Sequence, residues 1–339
     1  MIVAEGLVKE FRRYERGPGL RGSLAGLFTR RHQIVRAVAG VSFRIPAGTK
    51  VAYVGANGAG KSTTIKLLTG IMRPTAGRCL VDGREPYRER RATATVIGAV
   101  FGHRSQLWWD LPVGDSFRIL RRIYDIPDPV YRRNMTRFRE LLDLDALGTT
   151  PVRQLSLGQR MRAEVAASLL HDPAVVFLDE PTIGLDLTLK EAVRALINQV
   201  NAELGTTVML TSHDIGDIGS ICDQVLVVNE GAVVHQGSMA DLLRTADTRT
   251  VVFDHGADRP VAGALALLET GLPGVRAVPD GPGRIRVDFP VPRWSVRQVM
   301  AFVLEHFDVT ECFAPEPDLE TVLRRVYATR ATVATGGSG

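Results

Sequence analysis

The segment GANGAGKST, residues 55–63, follows the apolar run Lys50-Val51-Ala52-Tyr53-Val54. Its spacing is G-x-x-x-x-G-K-S, from Gly55 to Gly60, Lys61 and Ser62. Glycines in this pattern let consecutive backbone N–H groups turn inward and form a concave seat for phosphate oxygens. Lys61 adds a cation for β- and γ-phosphates, and the Ser62 hydroxyl is a ligand for Mg²⁺. A helix starting near Lys61 would turn its positive end toward the same anion. The implied ligand is a nucleoside triphosphate, seated on Gly55, Asn57, Gly58, Ala59, Gly60, Lys61, Ser62 and Thr63.

Hydrolysis needs further groups. The stretch AVVFLDE, residues 174–180, is an apolar strand ending in two carboxylates. Beside a phosphate loop, Asp179 suits a magnesium–water site. Glu180, one residue further, is placed to orient and deprotonate an attacking water.

The sequence QLSLGQRMRAE, residues 154–164, resembles the LSGGQ signature of ABC ATPases, with Leu157 in place of its first glycine. Other parts follow in the family's order. Gln106 in HRSQLWWDLP is similar to the Q-loop glutamine, Ile183-Gly184-Leu185-Asp186 to the D-loop, and His213 in LTSHD to the switch histidine. The resemblance covers about residues 1–245 and implies that ATP lies between two such domains. Ser156, Gly158 and Gln159 of one copy would face the nucleotide of the other, with Asp186 beside it. A helix N-terminus behind Ser156 would supply dipole and N–H groups only on closure. The resemblance places Gln106 in both the catalytic and the metal set, and gives His213 the γ-phosphate and the attacking water. It also implies an aromatic ring stacked on adenine. KEFRRY offers Phe11, with Tyr14 as the second candidate.

These groups need a scaffold. Strands are expected at 2–8, 38–45, 49–55, 78–82, 95–101, 174–179, 206–211, 224–229 and 232–236. Helices are expected at 61–71, 157–171, 188–204 and 214–221, with a mostly helical section at 114–148. Strands alternating with helices predict an α/β fold on a largely parallel, covered sheet, the P-loop ABC ATPase domain of the resemblance, at 1–246. Its helical subdomain is expected at about 107–172 and an arginine- and glycine-rich insertion at about 12–33. Beyond 246, strands at 249–253, 274–278, 284–289 and 308–313 alternate with helices at 260–269, 293–306 and 317–328. That βαββαβ order predicts a small ferredoxin-like α+β domain at 247–330. The tail 331–339 reads as a flexible linker.

The 339 residues carry 45% hydrophobic and 23% charged residues, ordinary for a globular chain. Lys9 and seven arginines against three glutamates in the first 36 residues account for the whole net charge of +5. No basic stripe follows, so nucleic acid is not the expected partner. The three cysteines, Cys79, Cys222 and Cys312, show neither metal nor disulfide spacing. No apolar run reaches the length of a membrane span and no signal peptide opens the chain. Between Lys61 and Asp179 there is no heptad run and no C-x-x-C. Chromosome, repair and two-cassette translation ATPases are therefore disfavoured against a transporter motor.

That motor is expected at the cytoplasmic face of a membrane, as a homodimer driving separate permeases, two different ones in the narrower resemblance. The segment QLWWDLPVGDSF, residues 106–117, would form the permease socket, with one of Trp108 and Trp109 in the core and one in contact. Among transporter ATPases the chain looks most like the group serving drug, polysaccharide and lipid export, with importers as the alternative.

Overall fold

The computed structural model describes residues 1–14, 32–101, 105–212, 214–244, 248–255, 260–281, 283–315, 322, 323 and 326. Most of the basic insertion, His213, most of the helix expected at 317–328 and the tail lie outside the described residues. The chain divides into two compact units, Met1–Met239 and Ala240–Gly339.

In the first unit the elements run β1 (Ile2–Tyr14), β2 (His32–Ile45), β3 (Lys50–Gly55), α1 (Lys61–Leu68), β4 (Ala76–Val81), α2 (Arg90–Ala94) and β5 (Ile97–Val100). Next come α3 (Val113–Ile123), α4 (Asp128–Leu142), α5 (Leu157–Leu169), β6 (Val175–Asp179), α6 (Leu187–Leu204), β7 (Thr207–Thr211), α7 (Ile215–Ile221), β8 (Gln224–Asn229) and β9 (Ala232–Gly237). The helix α8 (Met239–Arg244) spans the division between the units. The sequence pattern missed α2 and α8, both too short to show a helical period. It also stopped β1 at residue 8 and started β2 at 38. The two strands in fact pair onward to Tyr14↔His32, so the basic stretch begins as a charged antiparallel ribbon.

The main sheet has the order β5-β6-β7-β3-β8-β9, parallel except for β9 at one edge. Both its faces are covered, so its strands read as apolar runs rather than alternations. On β6, Val175 and Phe177 enter one core, and Val176 and Leu178 the other. The first core joins the sheet through α1 (Ile65, Leu67, Leu68) to an antiparallel sheet of order β2-β1-β4. The second joins it to α3, α4, α5 and α6 through Phe117, Phe138, Met161 and Leu196. Parallel strands end on the same side, so Gly55, Asp179 and Thr211 finish β3, β6 and β7 at one edge.

The second unit holds β10 (Thr248–His255), α9 (Val261–Gly271), β11 (Arg276–Pro279), β12 (Arg284–Pro290), α10 (Val296–His306) and β13 (Val309–Phe313). Its antiparallel sheet has the order β11-β12-β10-β13. That is the βαββαβ connectivity and strand order of a ferredoxin-like domain. Phe253, Ile285, Val287 and Phe289 meet Ala264, Leu268, Val299 and Val303 of the helices in one core.

Phe177 is fully buried on the strand that delivers Asp179. Phe177→Ala is expected to cost about 3–5 kcal/mol, measured by urea unfolding followed by far-ultraviolet circular dichroism.

Candidate functional site

The phosphate loop leaves β3 and enters α1 through Gly60, whose φ of 93° belongs to the left-handed region. A Cβ there would stand 2.2 Å from the Ala37 carbonyl, so only glycine lets the loop pass under β2. Lys61 folds back on the loop: its Nζ donates to the Gly55 carbonyl at 2.6 Å and the Ala56 carbonyl at 3.2 Å. Burial pushes its pKa down, and the carboxylates of Glu180 and Asp179 oppose that shift. A phosphate would replace those two carbonyls with a charged acceptor, the stronger bond.

Asp179 sits at the centre. Its Oδ1 accepts from Thr211 Oγ1 at 2.6 Å and its Oδ2 from Ser62 Oγ at 3.2 Å. The chain then turns sharply, because Glu180 has φ 55°, a conformation that costs a non-glycine residue about 1–3 kcal/mol. Its N–H points to Thr211, 3.1 Å from the carbonyl and 3.2 Å from Oγ1. The carboxylate is thereby set just beyond Asp179.

These groups line one cavity of about 840 Å³. Asn57, Gly58, Gly60, Lys61, Ser62, Thr63, Asp179 and Glu180 belong to its wall; Gly55, Ala59, Phe11, Gln106, Ser156, Gly158, Gln159 and Asp186 do not. Ser62 and Asp179 present hard oxygen donors side by side, which fits a magnesium ion that keeps its waters and leans on substrate phosphates. Among the described residues no group of three His, Cys, Asp or Glu could cage a metal. A shared, water-rich site is therefore the kind that fits.

Each outlying residue has an observed position. Phe11 is 38% exposed and pairs across the ribbon with Val35, with Lys9 Nζ 5.4 Å from its ring centre. Ala37, two residues from Val35, does line the cavity. Nothing is described of the Tyr14 side chain. Ser156 caps α5: its Oγ accepts from Gln159 N, and Gln159 Oε1 accepts from Ser156 N at 2.9 Å. Asp186 likewise caps α6, accepting from Leu189 N at 2.9 Å. Gln106, expected at the metal, is turned to α5 instead, where its Nε2 donates to the Glu164 carbonyl at 3.0 Å. The two neighbours of position 213, Ser212 and Asp214, line the cavity.

The sequence reading missed Ala37, Thr182, Lys190, Ser212 and Asp214 in the wall. Ser212 and Asp214 were within reach through LTSHD. Lys190 was within reach only as the residue one helical turn beyond Asp186. Ala37 owes its place to an extra residue in β2, since Lys9 pairs with Val38 but Glu10 with Arg36, and a bulge has no reliable sequence mark. The tryptophan expectation needs correcting. Residues 108–111 form a turn, with Leu111 N donating to Trp108 O, so the pair does not alternate as in a strand. Trp108 is 37% and Trp109 53% exposed, and Leu107 takes the core position.

A phosphate loop between strand and helix, with an acid pair at the end of a parallel strand one place removed in the same sheet, defines a P-loop nucleotide-binding protein. The chain matches the ABC transporter family model over residues 38–183. It is 33% identical over 255 residues to the Nod factor export ATP-binding protein I of Ralstonia nicotianae, covering 73% of this chain and 78% of that protein. It is 35% identical over 214 residues to the methionine import ATP-binding protein MetN of Geobacillus kaustophilus, covering 62% of each. The match thus spans less than two thirds of that relative. A dimeric ATP-binding cassette solved in a post-hydrolysis state with ADP and Pi has the same fold, with a TM-score of 0.59 at 22% identity over 70% of this chain and 99% of that one. The chain belongs to the ABC transporter ATP-binding family.

Lys61→Ala removes one charged donor from the phosphate seat. Such bonds contribute about 1.5–3 kcal/mol. ATP binding, titrated with a fluorescent ATP analogue, is expected to weaken roughly tenfold or more.

Proposed function

We propose that this chain is the ATP-hydrolysing motor subunit of an ABC transporter, acting as a dimer at the cytoplasmic face of a membrane. The observation that carries the reading is the convergence of Lys61, Ser62, Asp179 and Glu180 on one cavity. In this reading Lys61 leaves the loop carbonyls for the β- and γ-phosphates, and the loop N–H groups hold the rest of the triphosphate. Glu180 takes the proton from water attacking the γ-phosphate. Bound magnesium supplies neutralisation of phosphate charge, with Ser62 and Asp179 as the residues that would hold it. His213 holds the γ-phosphate and the water in line, and Phe11, beside the Ala37 wall, offers its ring to adenine. Ser156, Gly158, Gln159 and Asp186 complete the site of a second copy. That assignment accounts for the exposed Leu157, Ile183 and Leu187 around them, since a second copy would cover them.

No helix among the described residues is long and apolar enough to cross a membrane. In the proposed reading, transport runs through separate permease subunits, two different ones in the narrower reading. Their socket is the exposed Trp108–Trp109 pair together with the groove between Leu111 and the α3 residues Ile119 and Ile123. Export is the direction supported by the Nod factor export relative, which covers the larger share of this chain. Import is the second reading, favoured by the higher identity to the methionine import protein. ATP-driven accumulation of substrate in inverted vesicles marks export, and its absence there beside uptake into right-side-out vesicles marks import.

Glu180→Gln is expected to keep ATP binding, to hydrolyse at least ~10²-fold more slowly, and to sediment as a dimer with ATP. Turnover at the parental rate would remove Glu180 from the role of base. Changing Trp108 and Trp109 together to alanine is expected to abolish co-purification with membrane subunits while leaving the melting curve in place. A folded double variant that still co-purifies would place the socket elsewhere.

A further inference from the structure

Segment 105–111 is stitched to both flanks of the signature. Ahead of Ser156, Val152 N donates to Leu111 O at 3.1 Å and Arg153 N to Trp109 O at 2.9 Å. Behind it, on α5, stands Glu164, only 5% exposed. Its carboxylate accepts from Ser105 Oγ and, through Oε2, from Gln106 N at 3.2 Å. Its carbonyl accepts the Gln106 side chain. A buried carboxylate is costly unless its lone pairs are met. Its hydrogen-bond donors come from the segment that carries Gln106, while Arg160 of the same helix adds a favourable charge, so the carboxylate loses its bonds if that segment leaves.

The two kinds of bond differ in what they hold. The carboxylate grips main chain and Ser105; the carbonyl holds only the movable amide. We propose that Glu164 is a positioning residue for Gln106: its carboxylate is the pivot, and its carbonyl is the parking place from which the amide swings to the magnesium site at Ser62 and Asp179. This deepens the proposed function and rests on the reading of Gln106 as a magnesium group. The swing exchanges one amide–carbonyl bond for another polar contact, while the grip on Ser105 and Gln106 N persists. Trp108 and Trp109, two and three residues further, feel the exchange directly. The signature helix, the amide and the proposed socket therefore share one anchor.

The chain has three tryptophans, so Trp294→Phe leaves Trp108 and Trp109 as the only indole reporters. In that background, emission is followed on adding a non-hydrolysable ATP analogue with Mg²⁺ or with a chelator. Binding of a fluorescent ATP analogue, melting and Mg²⁺-dependent turnover are measured alongside. A Mg²⁺-dependent emission change is expected in the parent, retained in Glu164→Gln, reduced in Ser105→Ala, and lost in Glu164→Ala and Gln106→Ala. Nucleotide affinity of the Ser105 and Glu164 variants, measured with the chelator, should stay within about twofold, because the phosphate seat is untouched. Glu164→Ala and Gln106→Ala should each lower turnover about 10–100-fold, and the double variant no further, since both remove one function. The proposal is overturned by a parent without the change, by multiplying losses in the double variant, or by a retained change in Glu164→Ala. Should that variant melt early, the same change at full size in Ser105→Ala overturns it. Intact turnover in Gln106→Ala instead sinks the reading of Gln106, whatever Glu164 does.

Discussion

The Asp179 carboxylate is the point on which the site depends. One oxygen is held by Thr211 at the end of β7, the other by Ser62 in the first turn of α1. A single side chain thus fixes two parallel strands and the phosphate loop against one another. It can do so only because β6 and β7 run in register, Leu178 beside Leu210 and Asp179 beside Thr211. A slip of one residue would send Asp179 to the opposite face and bring Phe177 out of its core. The left-handed turn at Glu180 follows from the same geometry, since its N–H is drawn to Thr211 while its side chain stays at the cavity.

A second group of contacts organises the switch side of the cavity. Asp217 is fully buried, pairs with Arg194 at 2.7 Å, and accepts from Thr182 Oγ1 and from Ser212 Oγ at 3.1 Å. Its carboxylate joins the segment after Glu180 to the segment before His213. Buried charge of this kind adds little net stability, and breaking one partner is expensive. It favours one arrangement of two loops that carry proposed catalytic groups. Asp214, paired with Lys190 at 2.6 Å, extends the network into the cavity wall, and that bond holds the Asp214 carboxyl below its usual range.

The signature substitution has a local explanation. Leu157 lies over Gly184, where a Cβ would come within 2.6 Å of the leucine Cδ2. Gly184, at φ 74°, leaves the room that the larger residue fills. Ser156 and Gln159 still close their reciprocal cap, so the helix start expected to face a second nucleotide keeps its form. The leucine remains 48% exposed, an apolar surface suited to the second copy proposed above.

By itself, the sequence determined the fold class, the order of nearly all the longer elements, and the residues of the phosphate loop and acid pair. All of these are local: they show as apolar runs, as periodicity, or as residues at short fixed spacing. Where the chain folds back on itself, the sequence was silent. The bulge that brings Ala37 to the cavity, the turn that exposes both tryptophans, and the Asp217 network depend on contacts between distant segments. Gln106 illustrates the difference. Its identity was legible from its motif, but its direction was decided by the Glu164 main-chain carbonyl, 58 positions away, which accepts its amide, while the buried Glu164 carboxylate holds the segment through Ser105 and Gln106 N.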